Sequence, residues 1–245
     1  MPRYQAPLRD QHFVMHELLQ VVPHLQAMPR YADLDVDTVN QVLEEEAKFA
    51  QDVLLPINRS GDEEACQYDA ATRTVRTPSG FSHAFNQYRN AGWQGLIAEI
   101  EHGGQALPEL LEIAFGEMRC ATNQAWSMYP GLALGAYECI SHNGTHAQKS
   151  LYLPKLVSAQ WGGTMCLTES HCGTDLGLLR TRATPHDNGS YRITGNKIFI
   201  SAGEHDLTEN IVHLVLARLP DAPAGTRGIS LFIVPKFIPV GEGAE

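Results

Sequence analysis

Two stretches of the sequence hold the residues best suited to chemistry. The first, MCLTESHCGTDLG at 165–177, is a short apolar run that turns into a polar, glycine-containing loop. It is neither a Walker A loop nor a GxGxxG turn, so it does not read as a phosphate cradle. It offers the hydroxyls of Thr168 and Thr174, with Met165 and Leu167 beside them, and a Gly173 that lets backbone N–H groups approach a flat or anionic ligand. Without other information the same residues read as an ordinary turn. The second stretch, YRITGNKIFISAGEHD at 191–206, brings Phe199, Ile200 and Ser201 to the end of an expected strand, followed by Gly203. An aromatic, an aliphatic and a hydroxyl in succession can cover a ring system and hydrogen-bond its edge. Alone, Phe199 reads as a core aromatic.

Other reactive residues have plainer readings. Cys166, His171 and Cys172 can be drawn as metal ligands, yet there is no fourth ligand and none of the usual spacings, so small buried thiols near a turn are expected and no metal. His102–Gly103–Gly104 has the look of an oxyanion-hole turn, but no GxSxG nucleophile elbow accompanies it. The 11 histidines have no carboxylate or hydroxyl partner at a recognisable spacing, so none is nominated as a base. The glutamates at 44–46 read as a solvated helix face, and the acidic residues at 62–64 as a loop beside Gly61.

The elements that must position these residues fall into two textures. Up to about residue 160, apolar residues recur at helical spacing. Val14, Leu18 and Val21 follow an expected N-cap at Asp10, and Val39, Val42, Phe49 and Val53 precede Pro56. A further helix is expected from about Leu107 to Ala125, with Leu110, Leu111, Ala114, Phe115 and Met118 on one face, and another in GLALGAYECI. The segment THAQKSLYLPKLVSAQW is expected to be helical until Pro154 stops or kinks it. From Trp161 onward come short β-rich runs: GTMCLT, LLRTRATPH, SYRITGNKIFIS, IVHLVLARL and GISLFIVPKF. DNGS at 187–190 predicts a tight hairpin turn and DAPAG at 221–225 a longer one. The expected fold class is α+β, an all-α domain followed by a small antiparallel β-barrel or sandwich.

Composition narrows the function. The 245 residues carry 28 acids against 18 lysines and arginines, a net charge of −10, which argues against a nucleic-acid partner. The acidity is concentrated in residues 1–160, with 19 acids and 11 bases, against nine and seven in 161–245. With 43% apolar and 19% charged residues, the chain reads as globular. Five scattered cysteines without a CxxC pair point to a reduced, cytoplasmic protein. The longest apolar runs, such as GISLFIV, are too short to span a bilayer, and the N-terminus lacks a signal-peptide core.

Taken together, LTESHCGTD and ITGNKIFIS resemble the paired TE...GSD and GxKxxIT/S signatures of the acyl-CoA dehydrogenase family, and GTHAQKSLYLPKL is similar to the GTxEQKxxYLPKL segment that precedes them. The opening YQAPLRDQHFVMHELL resembles the extra N-terminal helix of the long bacterial members, and HGG resembles the end of an architectural PxExGG segment. The resemblance implies three parts: an extension helix at 1–32, an N-terminal helical domain at 33–160 and a middle β domain at 161–245. It implies that Met165, Leu167, Thr168, Gly173 and Thr174 hold the flavin of FAD, and that Thr174 also meets the acyl-CoA. Phe199 and Ile200 then lie against the isoalloxazine, with the Ser201 hydroxyl near N5. Cys172 stands where the family usually has a smaller residue, and Phe199 where it often has tryptophan.

The implied reaction is α,β-dehydrogenation of an acyl-CoA thioester, with an electron-transferring flavoprotein reoxidising the cofactor and a homo-oligomer as the complete assembly. In the family the base is a glutamate of a C-terminal helical bundle, so Glu169 is read as structural and no catalytic residue is assigned here. That bundle is not found before Glu245, so the chain alone is expected to be inactive and to hold flavin only when the bundle is supplied. The alternatives are a truncated, non-catalytic paralogue acting as a binding or assembly module, and an acyl-CoA oxidase of the same fold.

Overall fold

A computed structural model describes residues 4–239, helical apart from one small hairpin up to Val157 and sheet-forming from Trp161. It contains two compact units, Met1–Met128 and Tyr129–Glu245. Among the described residues no helix is long and apolar enough to cross a membrane.

In the first unit, α1 (Leu8–His12) continues into a π-helical turn, Phe13–Leu18, and is followed by α2 (Val21–Gln26). Pro7, not Asp10, occupies the N-cap position, and Asp10 falls in the first turn. The wider π turn changes the period that the sequence suggested. Met15 is buried as a result, while Val14 and Leu18 are exposed. The next helix, α3 (Val36–Phe49), starts where the Asp35 carboxylate accepts the Thr38 N–H at 2.7 Å. Its Val39, Leu43 and Ala47 join Met15, Leu111 and Met118 in one apolar cluster.

The acidic residues at 62–64 lie in a helix and not in a loop: α4 spans Asn58–Glu64. Gly61 allows this, because a Cβ there would stand 2.7 Å from the Phe81 ring. After the hairpin of β1 (Gln67–Asp69) and β2 (Thr74–Arg76), α5 (Phe81–Asn90) adds Phe85 and Tyr88 to an aromatic group with Phe49, Phe115 and Trp126.

The two helices expected around 107–140 are one element, α6 (Glu109–Asn143), broken only at Asn123 (φ −157°, ψ 83°). There the side chain accepts the Trp126 N–H at 3.0 Å and donates to the Leu54 carbonyl at 3.3 Å, so the break carries its own cap. Pro154 does not end the next helix either. α7 (His146–Val157) opens with a Thr145–Gln148 capping box and runs through the proline, because Tyr152, Leu153, Leu156 and Val157 are all buried on it. Packing of that face outweighs the lost N–H.

The sheet of the second unit is mixed, a correction to the antiparallel expectation. Strand β3 (Trp161–Cys166) runs parallel to β6 (Asn210–Arg218), with Trp161 opposite Asn210 and Cys166 opposite Val215. At its last residue β6 meets β4 (Arg182–Pro185), again in parallel. The pairs β4 with β5 (Tyr191–Thr194) and β6 with β7 (Ile229–Pro235) are antiparallel hairpins, as DNGS and DAPAG predicted. A parallel return needs a long crossover, and β4 and β5 with their loops supply one between β3 and β6. Arg218 closes the second hairpin by donating to the carbonyls of Gly177, Leu179, Pro223 and Gly225. On β3, Gly163 lies against α6, where a Cβ would stand 2.5 Å from that of Ala136.

Glu46 reverses the expectation for the acidic run at 44–46. Glu44 and Glu45 are exposed, but Glu46 is 0% exposed and neither of its carboxyl oxygens has a hydrogen-bond partner. Nearby, Arg119 pairs with Glu112, donates to the Tyr88 hydroxyl at 3.1 Å and lies 4.4 Å from the Phe115 ring centroid. Burial first, and then the Glu112 charge, push the Glu46 carboxyl up to about 9 against the pull of Arg119. The folded state therefore holds this proton more tightly than the unfolded chain, where the group titrates near 4.5. This contribution to stability is present below that value and is lost as pH rises toward about 9. Thermal melts of Glu46→Gln should show the variant gaining on the wild type as pH is raised through this window; a constant difference would contradict it. Gly163→Ala should cost about 1–3 kcal/mol in denaturant unfolding, because Ala133 and Ala136 leave no room for the methyl group.

Candidate functional site

Strand β3 presents its residues alternately: Thr164 and Cys166 are buried, whereas Met165 between them is 37% exposed. The Thr164 hydroxyl shares a 2.7 Å hydrogen bond with His213 Nδ1, its register partner on β6, which ties the two strands at this level. Beyond β3, Leu167 and Thr168 are half-buried and lead into a tight reversal, in which Glu169 and Cys172 exchange both backbone hydrogen bonds at 2.8 and 3.1 Å. Gly173 follows with Thr168 Cγ2 3.4 Å from its Cβ position, and Thr174 is exposed.

The second stretch is displaced from its expected place. Strand β5 ends at Thr194, so Phe199, Ile200 and Ser201 are not at a strand end but in an irregular segment and turn beyond it. The next residue after β5, Gly195, is closely packed: a Cβ there would stand 2.3 Å from the Thr181 hydroxyl. The segment nevertheless reaches the first stretch, since the Ile198 N–H donates to the Thr168 carbonyl at 2.9 Å. Phe199 has φ +55° and is 88% exposed, and Ile200 is half-buried while Ser201 is exposed. A bulky side chain held in the left-handed region and turned to solvent is a strained arrangement with no gain in core packing. Thus the chain brings together the two stretches that the sequence singled out, and it leaves Phe199 and Met165 on the surface.

Glu169 is the group that holds them. It is 4% exposed. Its Oε1 accepts from the Thr181 hydroxyl at 2.6 Å, the Thr181 N–H at 2.9 Å and Lys197 Nζ at 2.9 Å, and its Oε2 from the Arg180 N–H at 2.9 Å. Burial opposes the charge, but the hydrogen bonds from Thr181, Arg180 and Lys197 prevail and bring the carboxyl down to about 2. Lys197 also donates to the Leu167 carbonyl at 3.1 Å. Neither Lys197 nor Thr181 was a candidate from sequence. Lys197 is the lysine of the GxKxxIT/S pattern, yet nothing in the spacing pairs it with a glutamate 28 positions away.

Two other motifs are also placed. Glu169, His171 and Cys172 form the group of potential ligands, with donor atoms within 4.8 Å of one another; Cys166 is not in it. His171 Nε2 stands 3.5 Å from Glu169 Oε2, while Lys197 occupies Oε1. At 102–104, the N–H groups of Gly103 and Gly104 already donate to the carbonyls of Ile100 and Glu99. That turn has no amide left for an oxyanion, so it is architectural.

Residues 37–160 match the acyl-CoA dehydrogenase N-terminal domain, and residues 164–242 match the acyl-CoA dehydrogenase middle domain. The chain is 43% identical, over 99% of its length, to 3-methylmercaptopropionyl-CoA dehydrogenase of Ruegeria pomeroyi, and spans 40% of that protein. Butyryl-CoA dehydrogenase from Megasphaera elsdenii superposes with a TM-score of 0.67 at 25% identity, over 83% of this chain and 50% of that one. An acyl-CoA dehydrogenase from Bacillus anthracis complexed with FAD shares the fold, with a TM-score of 0.64 at 20% identity, over 83% of this chain and 31% of that one. With two consecutive domain matches along most of its length, this chain belongs to the acyl-CoA dehydrogenase family.

Proposed function

We propose that these residues form the flavin-facing part of an FAD-dependent acyl-CoA dehydrogenase that converts an acyl-CoA thioester to its 2-enoyl form. The observation that carries this reading is the 2.9 Å Ile198–Thr168 hydrogen bond, which joins an exposed aromatic turn to a threonine-bearing strand end. The residues fit a flavin. Phe199 offers an open aromatic face, Met165 an exposed thioether, and Thr168, Thr174 and Ser201 bear hydroxyls that make no hydrogen bond within the described residues. Leu167, Gly173 and Ile200 complete the wall. FAD would supply the two-electron acceptor for the β-hydrogen of the thioester.

This chain's own residues bind and orient. Phe199 covers a ring face, the Ser201 and Thr168 hydroxyls hydrogen-bond the ring edge, and Thr174 meets the acyl-CoA. Glu169 does not serve as the α-proton base. Its carboxyl titrates near 2 and both of its oxygens are already engaged by donors. The reading divides the chain into an N-terminal extension at 1–32, which folds as more than the one helix expected, an N-terminal helical domain at 33–160 and a middle β domain at 161–245. Because the chain spans about 40% of the curated relatives it matches, the whole activity belongs to this proposal. So do the homo-oligomer and the electron-transferring flavoprotein as acceptor.

The test is flavin binding, measured by absorbance and by quenching of flavin fluorescence. One arm uses the chain alone, and the other adds the C-terminal part of the 43%-identical relative. Bound, spectrally shifted flavin is expected, most strongly in the second arm. Phe199→Ala should weaken it by about 1 kcal/mol, roughly fivefold, through the loss of aromatic stacking. Unperturbed free flavin in both arms would sink the reading.

A further inference from the structure

Between the two stretches lies one buried ion pair, Glu169 with Lys197, that contacts both. Glu169 belongs to the reversal after β3, and Lys197 immediately precedes the residue whose N–H bonds Thr168. The lysine ammonium reaches Glu169 Oε1 at 2.9 Å and the Leu167 carbonyl at 3.1 Å, so its position is fixed at two points. The carboxylate is fixed in turn by Thr181 and Arg180, which lead into β4. Both side chains are almost fully withdrawn from water, at 4% and 10% exposure, so removing either would leave the other's polar group buried without this partner. Apart from these two lysine bonds, the Ile198 amide makes the one hydrogen bond that joins residues 197–201 to the first stretch among the described residues.

We infer that Lys197, anchored on Glu169, is the positioning residue that sets the Phe199–Ser201 turn against Thr168, and so sets the geometry of the flavin wall. This rests on the reading given under Proposed function. Lys197 does not touch the ring itself; it acts through the backbone of Ile198 and Phe199. Without the ammonium, a single backbone hydrogen bond would have to hold a turn whose aromatic residue sits at φ +55°. The turn would then sample other conformations, and a flavin would have to order it on binding.

The experiment compares wild type, Lys197→Met and Lys197→Arg in the full chain, with and without the added C-terminal part. It combines amide hydrogen exchange with FAD titration. Lys197→Met should speed exchange at the Ile198 amide at least tenfold while leaving Leu214, in the middle of β6, at the wild-type rate. FAD affinity should fall by about the same factor. Lys197→Arg keeps a cation with several donors and should restore most of both. Unchanged exchange at Ile198 in Lys197→Met would overturn the inference, and so would faster exchange with wild-type FAD affinity. If Leu214 also exchanged faster, the ion pair would be a general stability element and the positioning role would fail. A wild type that binds no FAD in either arm overturns the flavin reading instead, and the exchange data then decide the positioning of the turn by themselves.

Discussion

A carboxylate removed from water governs the arrangement of the second unit. Glu169 is ionised in a place where burial disfavours charge, and it remains so because four donors from three separate residues converge on its two oxygens. Those donors come from the start of β4 and from the segment after β5. The carboxylate therefore joins parts of the chain that no backbone ladder connects directly. The turn after β3, the turn that carries Phe199 and the entry to β4 all share this one acceptor. Gly195 belongs to the same arrangement, because its missing side chain lets the Thr181 hydroxyl lie close enough to reach the carboxylate.

The first unit handles buried polarity differently. There the Arg119–Glu112 pair is surrounded by Tyr88 and Phe115, and Glu46 is neutralised by keeping its proton and not by pairing. Asn123 interrupts the longest helix, yet its side chain bonds the amide that the break would otherwise leave open, so the aromatic group around Trp126 remains closed. These are two solutions to one constraint: a polar group inside a packed unit must find a partner or lose its charge.

Much of the fold was legible in the sequence, and the misreadings have specific causes. Helical periodicity located α3 and α6, and the turn residues located both β hairpins, because these signals are local. Asp10 and Pro154 misled because a cap or a proline states a preference of about 1 to 3 kcal/mol, which a π turn or a buried helix face overrides. The parallel pairing of β3 with β6 was not legible, since strand direction depends on the path of the crossover and not on the strand residues. For the candidate site, residue types at 165–174 and 199–201 carried the family signature. Their contact rests on an Ile198–Thr168 bond that no local pattern encodes.

The sequence by itself determined family membership, the order of helices before sheet, and which short stretches bear the hydroxyls, the glycine and the aromatic ring. Residue type and spacing suffice for these, because propensity, turn chemistry and motif identity are properties of neighbours along the chain. Only the tertiary structure decided that Glu46 is enclosed while Glu44 and Glu45 are not, that Phe199 faces outward, and that Lys197 meets Glu169. Burial and ion pairing arise between residues far apart in the chain, so they exist only once the packing has closed.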